Sequence, residues 1–131
     1  MIGIDTNVLV RYLVADHREQ ARRVNAFLKR SRTRGETIFV SVIVLCETVW
    51  VLQSLYGRSK HEILTVIEEL LGIDVFQVEA EDTVGAAVEQ CRAGKGGFVD
   101  HLIGELNLVR GCRETVTFDS ALRHTRGFGP L

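Results

Sequence analysis

Apolar residues along this chain alternate between short runs and longer stretches with helical spacing. Runs rich in β-branched and aromatic residues predict strands, and apolar residues recurring every three or four positions predict amphipathic helices. The predicted strands cover residues 1–4, 37–40, 74–78 and 115–118. The predicted helices cover residues 7–14, 17–30, 42–56, 59–72, 79–92, 98–110 and 120–124.

Polar residues and glycines mark where several of these helices start and stop. Ser41 is a plausible N-cap for the apolar helix that follows it, and Ser59 with Glu62 forms a capping-box pattern. Gly57 and Gly72 follow helical stretches, in positions where glycine commonly ends a helix. These signals support the predicted boundaries independently of the apolar spacing.

Strands that alternate with helices predict one α/β domain over residues 1–131. The expected architecture is a three-layer α/β/α sandwich around a mostly parallel sheet of four or five strands. A fifth strand would have to be very short, because the chain ends soon after Phe128. In such sheets ligands bind beyond the carboxyl ends of the strands, and Asp5 and Asp119 both follow a predicted strand.

Composition is that of an ordinary globular protein, with 46% apolar residues and a net charge of −1, but the charges are segregated. Residues 18–34 hold seven basic residues against one acid, whereas residues 61–91 hold eight acids and no Lys or Arg. This distribution permits a local basic face. Because the chain shows no signal segment, no stretch apolar enough for a membrane span and three widely spaced cysteines, we expect a cytoplasmic protein with reduced core cysteines.

Four acids stand where apolar structure stops or turns: Asp5, Glu47, Asp100 and Asp119. Taken singly, Asp5 and Asp119 are ordinary N-cap residues, and Asp100 suits the first turn of a helix. Glu47 is different, because its neighbours one turn away along the helix are apolar. It should be desolvated, or lie at the lip of a pocket, or form a salt bridge with an arginine such as Arg11.

As a set, the four acids are explained better by convergence on one cleft than by four separate structural roles. Oxygen ligands without His or Cys favour Mg²⁺ or Mn²⁺ over zinc. His101 adjoins Asp100, but neighbouring helical positions point about 100° apart, so we expect a structural or peripheral role for His101.

Several segments together resemble a PIN-domain ribonuclease of the toxin type (VapC-like). The resemblance covers nearly the whole chain and lies in four segments taken in order: Ile4-Asp5-Thr6-Asn7-Val8-Leu9; Glu47 within Ser41–Leu52; Phe98-Val99-Asp100-His101-Leu102-Ile103; and Gly111-Cys112 followed by Thr115-Val116-Thr117-Phe118-Asp119.

This resemblance implies a PIN-like fold and a metal-dependent endoribonuclease that acts as the toxin of a toxin–antitoxin pair. It implies an acidic pocket in which Mg²⁺ or Mn²⁺ is held by Asp5, Glu47, Asp100 and Asp119. It also implies that Thr6, Asn7 and Thr117 orient the carboxylates or a water. The implied partners are an RNA substrate, a cognate antitoxin and a second copy of the chain. Many relatives carry a further acid after Thr-Phe-Asp that this chain lacks, which leaves the number of metal ions open.

The basic segment 18–34 has two interpretations. Arg22, Arg23 and Arg30 are candidates for binding the RNA backbone, but a solvated basic helix face is the default interpretation of the segment. Trp50 and Tyr56 are similarly ambiguous, since the default expectation is core packing and the alternative is contact with a partner subunit.

Three other functions compete with the ribonuclease. A phosphatase with an aspartate nucleophile would want Asp-x-Asp after the first strand, where this chain has Asp5-Thr6-Asn7. A receiver-like signalling module would want an acidic pair near the first strand and a late lysine at a strand end, and neither is present. A catalytically inactive PIN-like module that binds RNA or protein is the remaining alternative.

Overall fold

The computed structural model describes residues 1–131 as six α-helices, one 3₁₀ helix and five short strands. The first half holds β1 (Ile2–Gly3), α1 (Thr6–Leu13), α2 (Arg18–Thr33), β2 (Ile38–Val40), α3 (Val42–Ser54) and α4 (Lys60–Leu71). The second half holds β3 (Phe76–Val78), α5 (Glu81–Ala93), α6 (Phe98–Val109), β4 (Thr115–Thr117), the 3₁₀ helix (Ser120–Leu122) and β5 (Phe128–Pro130).

All strand pairs are parallel, and the strands hydrogen-bond as a group of three and a group of two. β2 lies between β1 and β3, with Ile38 opposite both Ile2 and Phe76. β4 pairs with β5, with Thr115 opposite Phe128. The predicted α/β class and parallel strands are confirmed, and the fifth strand has three residues, as short as expected.

One apolar cluster of 21 buried residues joins the strands to the helices. Leu9 of α1, Ile38 of β2, Leu45 of α3 and Leu102 of α6 are each at most 1% exposed. Full burial of such a side chain contributes roughly 1.5–3 kcal/mol, so these anchors hold their helices firmly against the strands. Of the helices anchored in this way, α1 follows Asp5, α6 carries Asp100 in its first turn, and α3 carries Glu47 near its middle.

Most helix starts follow the cap signals in the sequence. The Ser41 side chain accepts a hydrogen bond from the Val44 N–H, and Ser59 and Glu62 form the reciprocal capping box. The last predicted helix also starts at its predicted cap, Asp119, but it is only a single 3₁₀ turn. There the Arg123 N–H bonds to the Ser120 carbonyl three residues back, which is the tighter 3₁₀ pattern.

Gly104 allows β5 to approach α6 closely. A Cβ added at Gly104 would overlap the ring of Phe128. Glycine therefore has a packing role in the interior of α6, where it otherwise weakens a helix.

The three cysteines are free, as expected, but they do not all lie in the core. Cys91 is buried and Cys46 is half-buried, and burial raises the pKa of both thiols. Cys112 is exposed, because it lies in the turn after α6, so the core prediction was wrong for it. None of the helices combines the length and apolar character needed to cross a membrane.

Candidate active site

Asp5 lies between β1 and α1 and caps the helix. Its Oδ1 accepts a hydrogen bond of 3.1 Å from the Val8 N–H, which satisfies one of the free donors of the first turn. The side chain is exposed and its second oxygen has no protein partner. The capping role is therefore real, and it leaves half of the carboxylate free.

Thr6 links the start of α1 to Glu47 of α3. The Thr6 hydroxyl donates a hydrogen bond of 2.9 Å to Glu47 Oε1. The bond joins residues 41 positions apart and brings Glu47 to the junction where Asp5 begins α1. Thr6 thus contacts one of the four candidate acids directly.

Glu47 is exposed rather than desolvated. The two apolar residues one turn away on its own face, Ile43 and Trp50, are themselves 72% and 62% exposed, so they do not shield it from water. The alternative salt bridge to Arg11 does not form, because Arg11 pairs with Asp16. Of the three environments predicted for Glu47, the desolvated site and the salt bridge to Arg11 are therefore wrong, and the residue lies on an open helix face.

Asp100 lies in the first turn of α6 and is half-buried. Its Oδ2 accepts a hydrogen bond of 3.1 Å from the Gly97 N–H, which ties the carboxylate to the glycine-rich loop before the helix. The neighbouring His101 is only 1% exposed, and its Nε2 lies 2.6 Å from the Lys95 carbonyl. The buried His101 ring therefore contacts this loop through the Lys95 carbonyl, which is the structural role expected of His101.

Asp119 follows β4 and starts the 3₁₀ turn. Its backbone N–H donates to the Thr117 hydroxyl at 3.0 Å, and its Oδ1 accepts from the Ala121 N–H at 2.9 Å. Thr117 thus fixes the backbone of Asp119, and the cap fixes its side chain. The adjacent Phe118 is 87% exposed.

The four acids share an electrostatic property. Seven ion pairs occur in the structure, and none involves Asp5, Glu47, Asp100 or Asp119. Each of these carboxylates uses one oxygen in a hydrogen bond and keeps the other free. Oxygen donors without a cationic partner fit a hard divalent cation in their chemistry.

The geometry of the acids does not by itself form a metal centre. No group of three or more His, Cys, Asp or Glu side chains lies close enough together to hold an ion. Like charges repel, and a bound cation offsets that repulsion. The convergence of the four acids on one ion therefore stays a prediction.

A groove of about 810 Å³, which we call the α1–α2 groove, lies between α1 and α2. Asp5 supplies a carboxylate to its lining, Val8, Val24 and Phe27 supply apolar surface, and arginines supply positive charge. The complete lining is Gly3, Ile4, Asp5, Asn7, Val8, Arg11, Gln20, Arg22, Arg23, Val24, Ala26, Phe27 and Arg30. All three arginines predicted to bind RNA thus border the same groove as Asp5 and Asn7.

Those three arginines differ in their pairing. Arg22 is bound to Glu19 through two hydrogen bonds of 2.8 and 3.3 Å, and this contact lowers the pKa of Glu19. Arg23 and Arg30 have no hydrogen-bond or ion-pair partner on their side chains, although both border the groove. Two of the three guanidinium groups are therefore open to an anion.

A polar cluster holds the wall of the groove in place. Arg11 Nε donates to Gln20 at 2.6 Å, and Arg11 Nη1 lies 3.3 Å from Asp16. The Tyr56 hydroxyl donates to Asp16 at 2.7 Å, and this hydrogen bond, with the charge of Arg11, lowers the pKa of Asp16. The cluster connects α1, the α1–α2 connection, α2 and the end of α3.

The sequence analysis missed part of this groove. Gln20 and Phe27 were not among the candidate residues, and Arg11 was considered only as a partner for Glu47. The available signal was the spacing of Gln20, Arg23, Phe27 and Arg30, which places them on one face of α2.

Comparisons with known proteins agree with the motifs. The family model of the PIN domain matches residues 2–127. A curated protein of Aquifex aeolicus (strain VF5) named "VapC ribonuclease" is 28% identical over 115 residues, which cover 88% of this chain and 84% of that protein.

Proposed function

Since the chain belongs to the PIN-domain family, we propose that it is an endoribonuclease of the VapC type, the toxin of a toxin–antitoxin pair. The observation that carries the proposal is the α1–α2 groove, which is lined both by Asp5, an acid without a cationic partner, and by Arg23 and Arg30, cations without an acidic partner. Such an arrangement suits a phosphodiester whose backbone contacts the arginines while the bond to be cleaved lies near the acid. The similarity to the VapC ribonuclease supports RNA as the substrate.

The proposed reaction is hydrolysis assisted by Mg²⁺, or by Mn²⁺, which prefers the same oxygen ligands. Asp5, Glu47, Asp100 and Asp119 would hold the ion, which when bound supplies charge stabilisation at the phosphate and activates water.

The roles of the neighbouring polar residues follow from their contacts. Thr6 orients Glu47 through its hydrogen bond, and Thr117 fixes the backbone of Asp119. Asn7 borders the groove next to Asp5 and would contact the substrate or a water there.

The proposal also covers the protein partners of this chain and its cellular location. We propose a homodimer, a cognate antitoxin and a cytoplasmic location. The exposed face of α3 that carries Ile43 and Trp50 is an apolar surface that a protein partner could cover.

One observation favours a second candidate, a PIN-like module that binds RNA or protein without cleaving it. Asp5, Asp100 and Asp119 each accept a backbone hydrogen bond at the start of a helical turn, as acids with a purely structural role do. The same cleavage assay separates the two candidates.

The test is cleavage of total bacterial RNA with Mg²⁺ or Mn²⁺, beside EDTA, with metal binding measured by calorimetry. Asp5→Asn and Asp100→Asn should each reduce the rate at least about 100-fold, because loss of a metal ligand forfeits several kcal/mol of transition-state stabilisation. Asp74→Asn, at an exposed acid outside the site, is the matched control and should cleave as the wild type does.

Either of two results would contradict the proposal. Full metal-dependent activity in Asp5→Asn and Asp100→Asn would remove the site assignment. RNA binding without cleavage by the wild type, and without metal binding, would favour the inactive module.

A further inference from the structure

One face of α2 forms a wall of the α1–α2 groove and alternates cationic and aromatic side chains. Arg23, Phe27 and Arg30 follow one another at helical spacing, and all three line the groove. Arg23 and Arg30 are seven residues apart, which is about 10 Å along the helix axis. That length corresponds to about three nucleotides at the roughly 3.4 Å rise of a stacked strand.

The charges around the groove favour an anionic occupant. Arg22 and Arg11 already have acidic partners, Glu19 and Asp16. Arg23 and Arg30 have none. Asp5 is the acid in the lining, so the groove carries an excess of unpaired positive charge on the α2 side. A phosphate backbone matches this surface, whereas a basic peptide does not.

Phe27 is half-buried, so part of its ring packs on the core and part is accessible from the groove. An aromatic ring between two unpaired cations is the arrangement by which proteins bind single-stranded nucleic acids, since the ring contacts a base while the cations contact phosphates. In a duplex each base face is covered by the neighbouring base in the stack, so the ring could not reach it.

We propose that nucleotides next to the cleaved bond lie unpaired in the α1–α2 groove, with their phosphates on Arg23 and Arg30 and one base against Phe27. Phe27 is then a positioning residue that aligns the strand with Asp5, and Arg22 is not part of the contact. This inference rests on the proposed function, because it assigns a path to the RNA of the same site.

The experiment measures binding without cleavage. A short fluorescein-labelled single-stranded RNA of mixed sequence, and its duplex with the complement, are titrated with the full chain in EDTA while fluorescence anisotropy is followed at several salt concentrations. Variants of the arginines are Arg23→Gln and Arg30→Gln, with Arg22→Gln as the matched control. Variants of the ring are Phe27→Leu and Phe27→Tyr, and thermal unfolding checks that each variant is folded.

Each arginine in contact with RNA should leave a distinct signature. Affinity falls as salt rises, so the slope of log affinity against log salt is negative. Arg23→Gln and Arg30→Gln should each make this slope shallower by about 0.7, as expected for the loss of one phosphate contact on a single strand. Arg22→Gln should leave the slope unchanged, because its guanidinium is occupied by Glu19.

The ring should be specific for the single strand. Phe27→Leu should weaken single-strand binding about fivefold or more, and Phe27→Tyr, which keeps the ring, should retain it. The duplex should bind more weakly than the single strand and should not respond to Phe27→Leu.

The proposal is overturned if the three arginine variants share one salt slope, if Phe27→Leu and Phe27→Tyr bind equally, or if the duplex binds as tightly as the single strand. Because binding is measured in EDTA, its outcome is separate from cleavage. A wild type that binds with this pattern and does not cleave contradicts the ribonuclease and leaves the groove assignment intact. A wild type that cleaves while the KM of the groove variants is unchanged contradicts the groove assignment alone.

Discussion

Single side chains decide how the wall of the groove is held. Tyr56 was expected in the core or at a partner surface. Its half-buried side chain does pack against the core, and its hydroxyl bonds to Asp16, which also contacts Arg11. Residues 16 and 56 are far apart in the sequence, so the hydrogen-bond pattern could not be read from local spacing. The contact positions the guanidinium of Arg11 at the groove.

Tyr56→Phe tests this cluster through pH. The hydrogen bond from Tyr56 is the largest cause of the lowered pKa of Asp16, so its loss should raise that pKa toward 3.8, the ordinary value. A lowered pKa in the folded state adds stability above the unfolded pKa, and this stability is lost as pH falls through the folded pKa. The variant should therefore be less stable than the wild type near neutral pH, and the difference should shrink below about pH 4.

NMR titration of the Asp16 carboxyl and urea unfolding at two pH values measure these effects. Tyr12→Phe is the matched control, because the Tyr12 hydroxyl makes no hydrogen bond, and it should leave the titration of Asp16 unchanged. An Asp16 pKa that does not move in Tyr56→Phe would show that the hydrogen bond has no electrostatic effect.

At the scale of elements, the helices differ in how they begin. α4 starts with a complete capping box, as its sequence predicts. α5 starts at Ala80, which has a φ of 53° and no side-chain cap. A left-handed conformation costs a residue with a Cβ roughly 1–2 kcal/mol, so the start of α5 is strained where the sequence showed only a helical pattern.

Ala80→Gly should therefore stabilise the protein by about 0.5–1 kcal/mol, because glycine adopts positive φ without a steric penalty. Ala86→Gly, in the interior of the same helix, is the control and should destabilise by about 1 kcal/mol. Chemical denaturation of both variants gives the free energies of unfolding. Equal destabilisation by the two substitutions would mean that the Ala80 backbone is not strained.

The composition of α3 did not predict which of its apolar side chains are buried. The helix was expected to be largely buried, and Leu45, Val49 and Leu52 are. Ile43, Glu47 and Trp50 instead share an exposed face. The sequence contains too little polar contrast around α3 to reveal which apolar residues face solvent, because that depends on which neighbours pack against it.

At the scale of the whole molecule, the exposed face of α3 is an apolar surface next to a candidate acid. Isolated exposed apolar residues are common, but Ile43 and Trp50 lie two turns apart on the same helix face. This face is the surface through which the proposed homodimer would form.

Substitution of Trp50 tests the homodimer. Wild-type protein should elute with the mass of a dimer in light scattering coupled to size-exclusion chromatography, and Trp50→Ser should shift it toward the monomer, because the substitution removes the large aromatic contact. Val109→Ser, at an exposed apolar residue at the end of α6, should keep the dimer mass. A monomeric wild type would refute the homodimer, and a dimeric Trp50→Ser variant would place its interface elsewhere.

The order of the elements, most helix caps, the α/β class and the family were determined by the sequence alone. Each depends on local spacing or on short motifs, and the family assignment drawn from those motifs is confirmed by the PIN-domain match. The positions of Asp5 and Asp119 after strands were readable for the same reason, since strand ends are marked by the change from apolar to polar residues.

The tertiary structure alone decided which of these residues meet. The Thr6–Glu47 hydrogen bond, the α1–α2 groove and the lack of an acidic partner for Arg23 and Arg30 follow from helix packing and side-chain orientation. A periodic pattern states which face of a helix is apolar, but it does not state what lies opposite that face. Contacts between distant segments therefore required the packed molecule.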